Sequence, residues 1–297
     1  MENIRIKSID NYELSLNVFE AANPLGFVQI IHGMQEHQNR YIPVIEKLNA
    51  AGYTVISSDI RGHGTNAPVL GYFAESNGYK LVLEDQKIIT KYIQNRYSVD
   101  KVIILGHSMG TIITRNLLQT ESSNYSKVIL SGYPNYQFAV NLGVLIGKLV
   151  KLFKGAKHES KLLSDMSVGS FNNKIKNPRT KLDWLSYNTS NVDKYIKDPY
   201  CGFPFKTSAF IDLFEMMCLM NKKNRFKNVN DMPLLLLAGE DDPCVGGTNG
   251  MKSSIKALRD AGFYHITGIT YDGMRHEILN EDKKALVIED IIKFLSK

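Results

Sequence analysis

Short apolar runs rich in Val, Ile and Tyr alternate along the chain with longer stretches in which apolar positions recur every three or four residues. The runs are Gly26 to Ile31, Tyr53 to Ser58, Lys101 to Leu105, Ser126 to Ser131, Pro233 to Ala238 and His265 to Tyr271. Their continuity predicts strands buried on both faces. Helical periodicity marks Arg40 to Ala51, Leu81 to Arg96, Ser108 to Thr120, Gly247 to Gly262 and Glu281 to Lys297. Strands alternating with helices predict an α/β protein with a mostly parallel central sheet and helices on both faces. Met1 to Asn11, mixed in charge and apolarity, reads as the first strand. The rhythm fails between Tyr133 and Asn230, a lysine-, asparagine- and aromatic-rich segment of short amphipathic stretches. That length is too great for an ordinary connection. The expected organisation is a core of residues 1–132 and 231–297 with an inserted helical cap, or lid, at 133–230.

Composition narrows this picture. At 297 residues, 43% hydrophobic and 22% charged, the chain can bury a large core. No segment offers the roughly 20 uninterrupted apolar residues of a membrane-spanning helix. The N-terminus lacks the apolar core and cleavage site of a secretory signal, so a cytoplasmic location is expected. Cys201, Cys218 and Cys244 are odd in number and widely spaced, as reduced thiols would be. The formal charge of +6 comes from scattered lysines rather than an arginine-aromatic stripe, which argues against nucleic-acid binding.

The chemistry begins at Gly106-His107-Ser108-Met109-Gly110. A buried strand precedes it and a helix follows, the strand-turn-helix setting of a nucleophile elbow. A serine hydroxyl is a weak nucleophile and needs a histidine base, which in turn needs an acid to fix its tautomer. In the α/β-hydrolase fold, which this setting resembles, the chain order is Ser, then Asp or Glu, then His. Of His158, His265 and His276, only His276 follows the last strand in a loop. After the strand Leu234 to Leu237 come Glu240, Asp241 and Asp242, and Pro243 favours an extended backbone at Asp242. Asp242 is the acid this fold implies, with Asp241 in reserve. The backbone amides of Met34 and Met109 are the expected oxyanion donors. His32, His37 and His63 lie in separate loops without metal-ligand spacing and are expected to fix those loops. No metal or organic cofactor is called for.

Taken together, His32-Gly-Met-Gln-Glu-His37 with Arg40-Tyr41, Asp59-Ile-Arg-Gly-His-Gly64, the Ser108 motif and Arg275-His-Glu-Ile-Leu-Asn-Glu281 resemble the monoacylglycerol lipase and lysophospholipase-like, or serine aminopeptidase-like, branch of the α/β hydrolases. Asp183-Trp-Leu-Ser186 and Asp198-Pro-Tyr-Cys-Gly202 are similar to bacterial members of that branch. Asp10-Asn11 and Gly64-Thr-Asn-Ala67 depart from its usual pattern without touching the chemistry. The resemblance implies a serine carboxylic-ester hydrolase working through an acyl-enzyme on monoacylglycerol, lysophospholipid or similar lipid esters.

The cap bears on substrate. Leu142, Leu145, Ile146, Leu149, Leu152 and Phe153 recur at helical spacing, with Lys148, Lys151, Lys154 and Lys157 between them. This basic amphipathic helix, 142–157, fits either packing on the core or peripheral contact with an anionic membrane. Phe203, Phe205, Phe210 and Met217 fit either an acyl-chain tunnel or the cap's own core. Two other readings stand beside the esterase. A peptidase or amidase would use the same triad, and a non-catalytic ligand-binding protein would use only the scaffold. A dehalogenase would need a carboxylate where Ser108 stands.

Overall fold

The apolar runs become strands because their alternate residues feed two separate cores. The computed structural model describes the backbone of residues 1–297 and every side chain but that of Lys174. Its strands are β1 (Glu2–Lys7), β2 (Glu13–Phe19), β3 (Gly26–Ile31), β4 (Tyr53–Ser58), β5 (Val102–His107), β6 (Tyr125–Ser131), β7 (Leu234–Gly239) and β8 (Ile266–Tyr271). They form one sheet in the order β1-β2-β4-β3-β5-β6-β7-β8. β2 runs antiparallel to both β1 and β4, and every pairing from β4 through β8 is parallel.

Val102 and Ile104 of β5 and Leu234 and Leu236 of β7 face one core, shared with α2 (Gly78–Tyr97) and α3 (Met109–Glu121). Ile103 and Leu105, with Leu235 and Leu237, face the other, closed by α1 (Ile42–Ala50) and α9 (Lys284–Leu295). Each such side chain, fully removed from water, contributes about 1.5–3 kcal/mol.

Two strands differ from the sequence reading. β2 is an additional strand that follows the expected first one. Leu14, Leu16 and Val18 face the core and alternate with Glu13, Ser15 and Asn17, so it shows alternation instead of an apolar run. β8, expected to be buried, is the sheet's edge, with Thr267, Gly268 and Thr270 exposed.

Between β6 and β7 the chain is helical: α4 (Val140–Lys154), α5 (Lys161–Val168), α6 (Thr189–Lys197) and α7 (Thr207–Leu219). α7 is buried through nearly its whole length and lies on α2 and α3. Asp212 and Glu215, three residues apart on α7, have separate fates. Glu215 pairs with Lys148 at 2.8 Å. Asp212 is buried against the first turn of α2, and burial pushes its carboxyl up to about 7 although the backbone amides of Tyr79 and Gly78 act to lower it.

α4 rests on α7 through its small residues. Gly143 and Gly147 are buried, and a methyl group on either would lie 2.9 Å from the Phe214 ring or 2.7 Å from Ile211. The long side chains therefore point outward: Leu145 is 57%, Leu152 75% and Phe153 78% exposed. After β7 and its loop, α8 (Gly247–Asp260) leads to β8. Among the described residues no helix is long and apolar enough to cross a membrane.

Candidate active site

The carboxyl ends of β3, β5, β7 and β8 deliver four loops to one edge of the sheet, where ligands bind in open α/β folds. Ser108 sits at the turn between β5 and α3 with φ 52° and ψ −118°, in the left-handed range that a side chain normally avoids. Two glycines permit the turn. A methyl group on Gly106 would lie 2.6 Å from the Gly110 carbonyl oxygen, and one on Gly110 would strike the carbonyl of Ile31. The Ser108 amide is anchored by the Ser131 carbonyl at 2.9 Å, so the strained turn is held from the neighbouring strand.

His276, in the loop after β8, places Nε2 2.8 Å from Ser108 Oγ. Its Nδ1 lies 3.0 and 3.1 Å from the two carboxylate oxygens of Asp242. A carboxylate only accepts, so Nδ1 carries the proton and Nε2 is free to accept from the serine hydroxyl. Asp242 and His276 are each 2% exposed. Burial works against the charged imidazole, yet the adjacent Asp242 carboxylate outweighs it and holds the His276 pKa well above the usual histidine value. Asp241, the reserve, is exposed and accepts from the Tyr187 hydroxyl at 2.8 Å. Cys244 donates its amide to Asp242 at 2.8 Å, and burial pushes its thiol up to about 11.

Met34 and Met109 both border the cavity above Ser108. Met109 opens α3, where the amide has no acceptor within the helix. In the Met34 loop the amide of Gly33 donates to Glu36 at 2.6 Å and that of Gln35 to His63 at 3.3 Å. The amide between them, that of Met34, has no protein acceptor among the described residues. His32 accepts from the Ile60 amide at 3.0 Å and contacts the Gly33 carbonyl at 2.8 Å, which assigns its proton to Nδ1. These histidines brace the loop; burial pulls the pKa of both His32 and His63 down, and His107 beside His276 falls to about 4.

Beneath the site lies a charged knot that sequence reasoning missed. Arg40 reaches Glu36 at 2.6 Å and holds both oxygens of Glu277 at 2.6 and 2.7 Å. Glu36 also accepts from the Gly33 amide and the Tyr41 hydroxyl, at 2.6 and 2.7 Å. Burial opposes its charge, but the guanidinium prevails and holds its carboxyl at about 2. Asn191 of α6 completes the knot, 3.0 Å from Arg40 and 2.6 Å from Glu277. One guanidinium thus joins the Met34 loop to the residue after His276 and to the helical segment. Its signals were Glu36, Arg40 and Glu277 flanking the chemical residues, but only the fold pairs them.

The cavity wall is apolar: Ile112 of α3, Leu213 and Met217 of α7, and Val168, Phe171 and Trp184. Of the four residues expected to meet substrate, Met217 lines it. Phe203, Phe205 and Phe210 do not; Phe203 and Phe205 pack on His63, Phe205 on Phe73 and Phe210 on Phe205, with ring centroids 5.3 to 6.1 Å apart, where helical segment and sheet loops meet. Apolar rings at such a seam are fully occupied in joining the two layers.

A strained serine, a buried His-Asp pair and two amides beneath an apolar cavity define a hydrolase of the serine type on an α/β-hydrolase sheet. The profile of the family described as serine aminopeptidase, S33, spans residues 22–283, and the chain belongs to that family. It is similar to monoacylglycerol lipase of Mycolicibacterium smegmatis, 26% identical over 92% of this chain and 89% of that one. It is also similar to phospholipase YtpA of Bacillus subtilis, 23% identical over 93% and 95% of the two chains. Among solved structures, a thermostable carboxyl esterase from Bacillus coagulans superposes with a TM-score of 0.91 at 25% identity, covering 99% of this chain and 97% of the other. The chain is a serine hydrolase of the lipase and esterase type.

Proposed function

We propose that the chain hydrolyses carboxylic esters of lipids, of the monoacylglycerol or lysophospholipid kind, through an acyl-enzyme on Ser108. One observation carries the reading: the unbroken relay from Ser108 Oγ through His276 to Asp242, opening onto an apolar cavity. His276 Nε2 takes the hydroxyl proton as Ser108 Oγ attacks the ester carbonyl. The amides of Met34 and Met109 receive the negative charge on the carbonyl oxygen. Asp242 stabilises the imidazolium, which returns the proton to the departing alcohol; water then repeats the sequence in reverse and frees the acid. Segment 133–230 is the lid over this chemistry, with Met217 meeting the acyl chain. The names of the relatives, a monoacylglycerol lipase and a phospholipase, support the substrate class.

The same site speaks against an aminopeptidase. Glu36 and Glu277 border the cavity, but both carboxylates are tied into the ion pair with Arg40, so neither stands unpartnered to receive a substrate amine.

The stretch expected as one helix over 142–157 ends its helix, α4, at Lys154, and α4 with the turn after it supplies the route to substrate. Its exposed leucines and Phe153, with Lys154 and Lys157 exposed beside them, present an apolar ridge with a basic rim, suited to the surface of an anionic bilayer. The test is fluorophosphonate labelling followed by a panel of monoacylglycerol, lysophospholipid, short-chain ester and amino-acid anilide substrates. Wild-type protein is expected to take the label and cleave long-chain monoesters, and Ser108→Ala to lose labelling and about 10⁴-fold or more of turnover. Anilides cleaved faster than esters would replace this reading with a peptidase, and saturable lipid binding without turnover would replace it with a binding protein.

A further inference from the structure

Cys244 stands two residues past Asp242 and has no part in the relay, yet it is packed against it. A carboxylate oxygen of Asp242, the Cys244 sulfur and a ring nitrogen of His276 all lie within 4.8 Å of one another. Nε2 faces Ser108 and Nδ1 faces Asp242, so the nitrogen of this cluster is Nδ1. All three residues are buried, and Cys244 and His276 border the cavity, which gives a small ion a way in. Thiolate, imidazole and carboxylate at such spacing are the donors that zinc and cadmium select, and magnesium and calcium do not.

We propose that Asp242, Cys244 and His276 form an inhibitory site for a soft divalent cation, zinc or its analogue cadmium. The inhibition, though not the binding, rests on the reading of His276 as the base. The ion takes the sulfur after the thiol proton leaves to solvent, and takes the Nδ1 lone pair after that ring proton moves, through solvent, to Nε2. Imidazole stays neutral and one proton is released per ion. The bound form then presents N–H to Ser108 Oγ, so His276 donates where it has to accept. A solvent molecule from the cavity fills the fourth position. A second cluster, His37, Asp198 and Cys201, has comparable spacing but lies apart from the relay, and Cys201→Ser separates it from the first.

Cadmium is titrated into the wild-type protein and into Cys244→Ser, Cys201→Ser and Cys218→Ser while the ultraviolet cadmium–thiolate absorption is followed. The band is expected in the wild type and in the Cys201 and Cys218 variants and to vanish in Cys244→Ser, a near-isosteric change that spares the fold. In parallel, zinc is expected to slow fluorophosphonate labelling by about 10²-fold or more, since a wrong tautomer costs a serine triad about 10⁴. A chelator restores the rate, and Cys244→Ser removes the sensitivity. A band that persists in Cys244→Ser, a band lost only in Cys201→Ser, or a bound ion that leaves labelling unchanged would each overturn the proposal. The absorption band needs no turnover, so absence of labelling in metal-free protein would count against the proposed hydrolase and leave the ion site tested on its own.

Discussion

The helical segment between β6 and β7 meets the rest of the molecule differently at its two ends. Around α6 it is fixed by charge and hydrogen bonds: Asn191 joins the Arg40 knot, and Arg275, beside His276, reaches the Asp183 carbonyl at 2.7 Å and stacks 3.8 Å over the Tyr187 ring. Around α4 the buried contact is Gly143 on Phe214 and Gly147 on Ile211, with Lys148 paired to Glu215 and Lys151 bonded to Ser76 at its rim, and the large apolar side chains face outward. Directional bonds between buried charges hold one geometry more strictly than apolar contact with an exposed polar rim. The polar end therefore suits the part of the segment that must keep His276 and the Met34 loop in register. The apolar end suits a part that adapts to a surface.

The most severe way to break this contrast is Arg40→Met. Two buried carboxylates would lose their partner, and a loss of about 3–5 kcal/mol in stability is expected by urea unfolding. Displacement of the Met34 amide and His276 would also lower kcat by about 10²-fold, read on a soluble short-chain ester. Full retention of both would show that the knot is ornamental. At the other end, Gly143→Val drives a side chain into Phe214 and is expected to cost about 1–3 kcal/mol, seen as a lower Tm, while the surviving folded enzyme keeps its kcat on the soluble ester.

Smaller still is the double change Leu152→Ser with Phe153→Ser. It is expected to weaken sedimentation with anionic vesicles about tenfold, the apolar area of the two side chains being already exposed and free to bury in lipid. Turnover of soluble ester should be unchanged; equal vesicle binding by the variant would remove the membrane role of α4. The mildest expectation concerns pH. Protonated His276 cannot accept the serine proton, so the rate rises as pH climbs through its pKa. Because Asp242 holds that pKa above 6.5, the acid limb of kcat/KM should lie on the alkaline side of 6.5. Asp242→Asn should move the limb to lower pH, and the α4 changes should leave it in place.

Much of the architecture was readable from the chain because parallel strands are buried on both faces and announce themselves as apolar runs. β2 escaped because polar Glu13, Ser15 and Asn17 interrupt its apolar residues, and β8 was misjudged because an edge strand can carry the same residues as an inner one. Ser108, His276 and Asp242 could be singled out because each had to follow a particular strand. The Arg40 knot was not legible: Glu36 and Glu277 are far apart in sequence, and nothing local says that one guanidinium serves both. Likewise the periodicity of α4 was plain, but its direction was not, since two glycines carry no hydrophobic signal and yet form the buried face. Phe203, Phe205 and Phe210 show the converse, being apolar enough for a tunnel while their rings are used up in the seam.

The sheet order also sets a timetable for synthesis. Ser108 and the Met34 loop emerge from the ribosome with β3 and β5, but His276, the proposed base, lies 168 residues after Ser108. A chain that stops short of β8 therefore lacks the base that the proposed chemistry requires, whatever the state of its elbow.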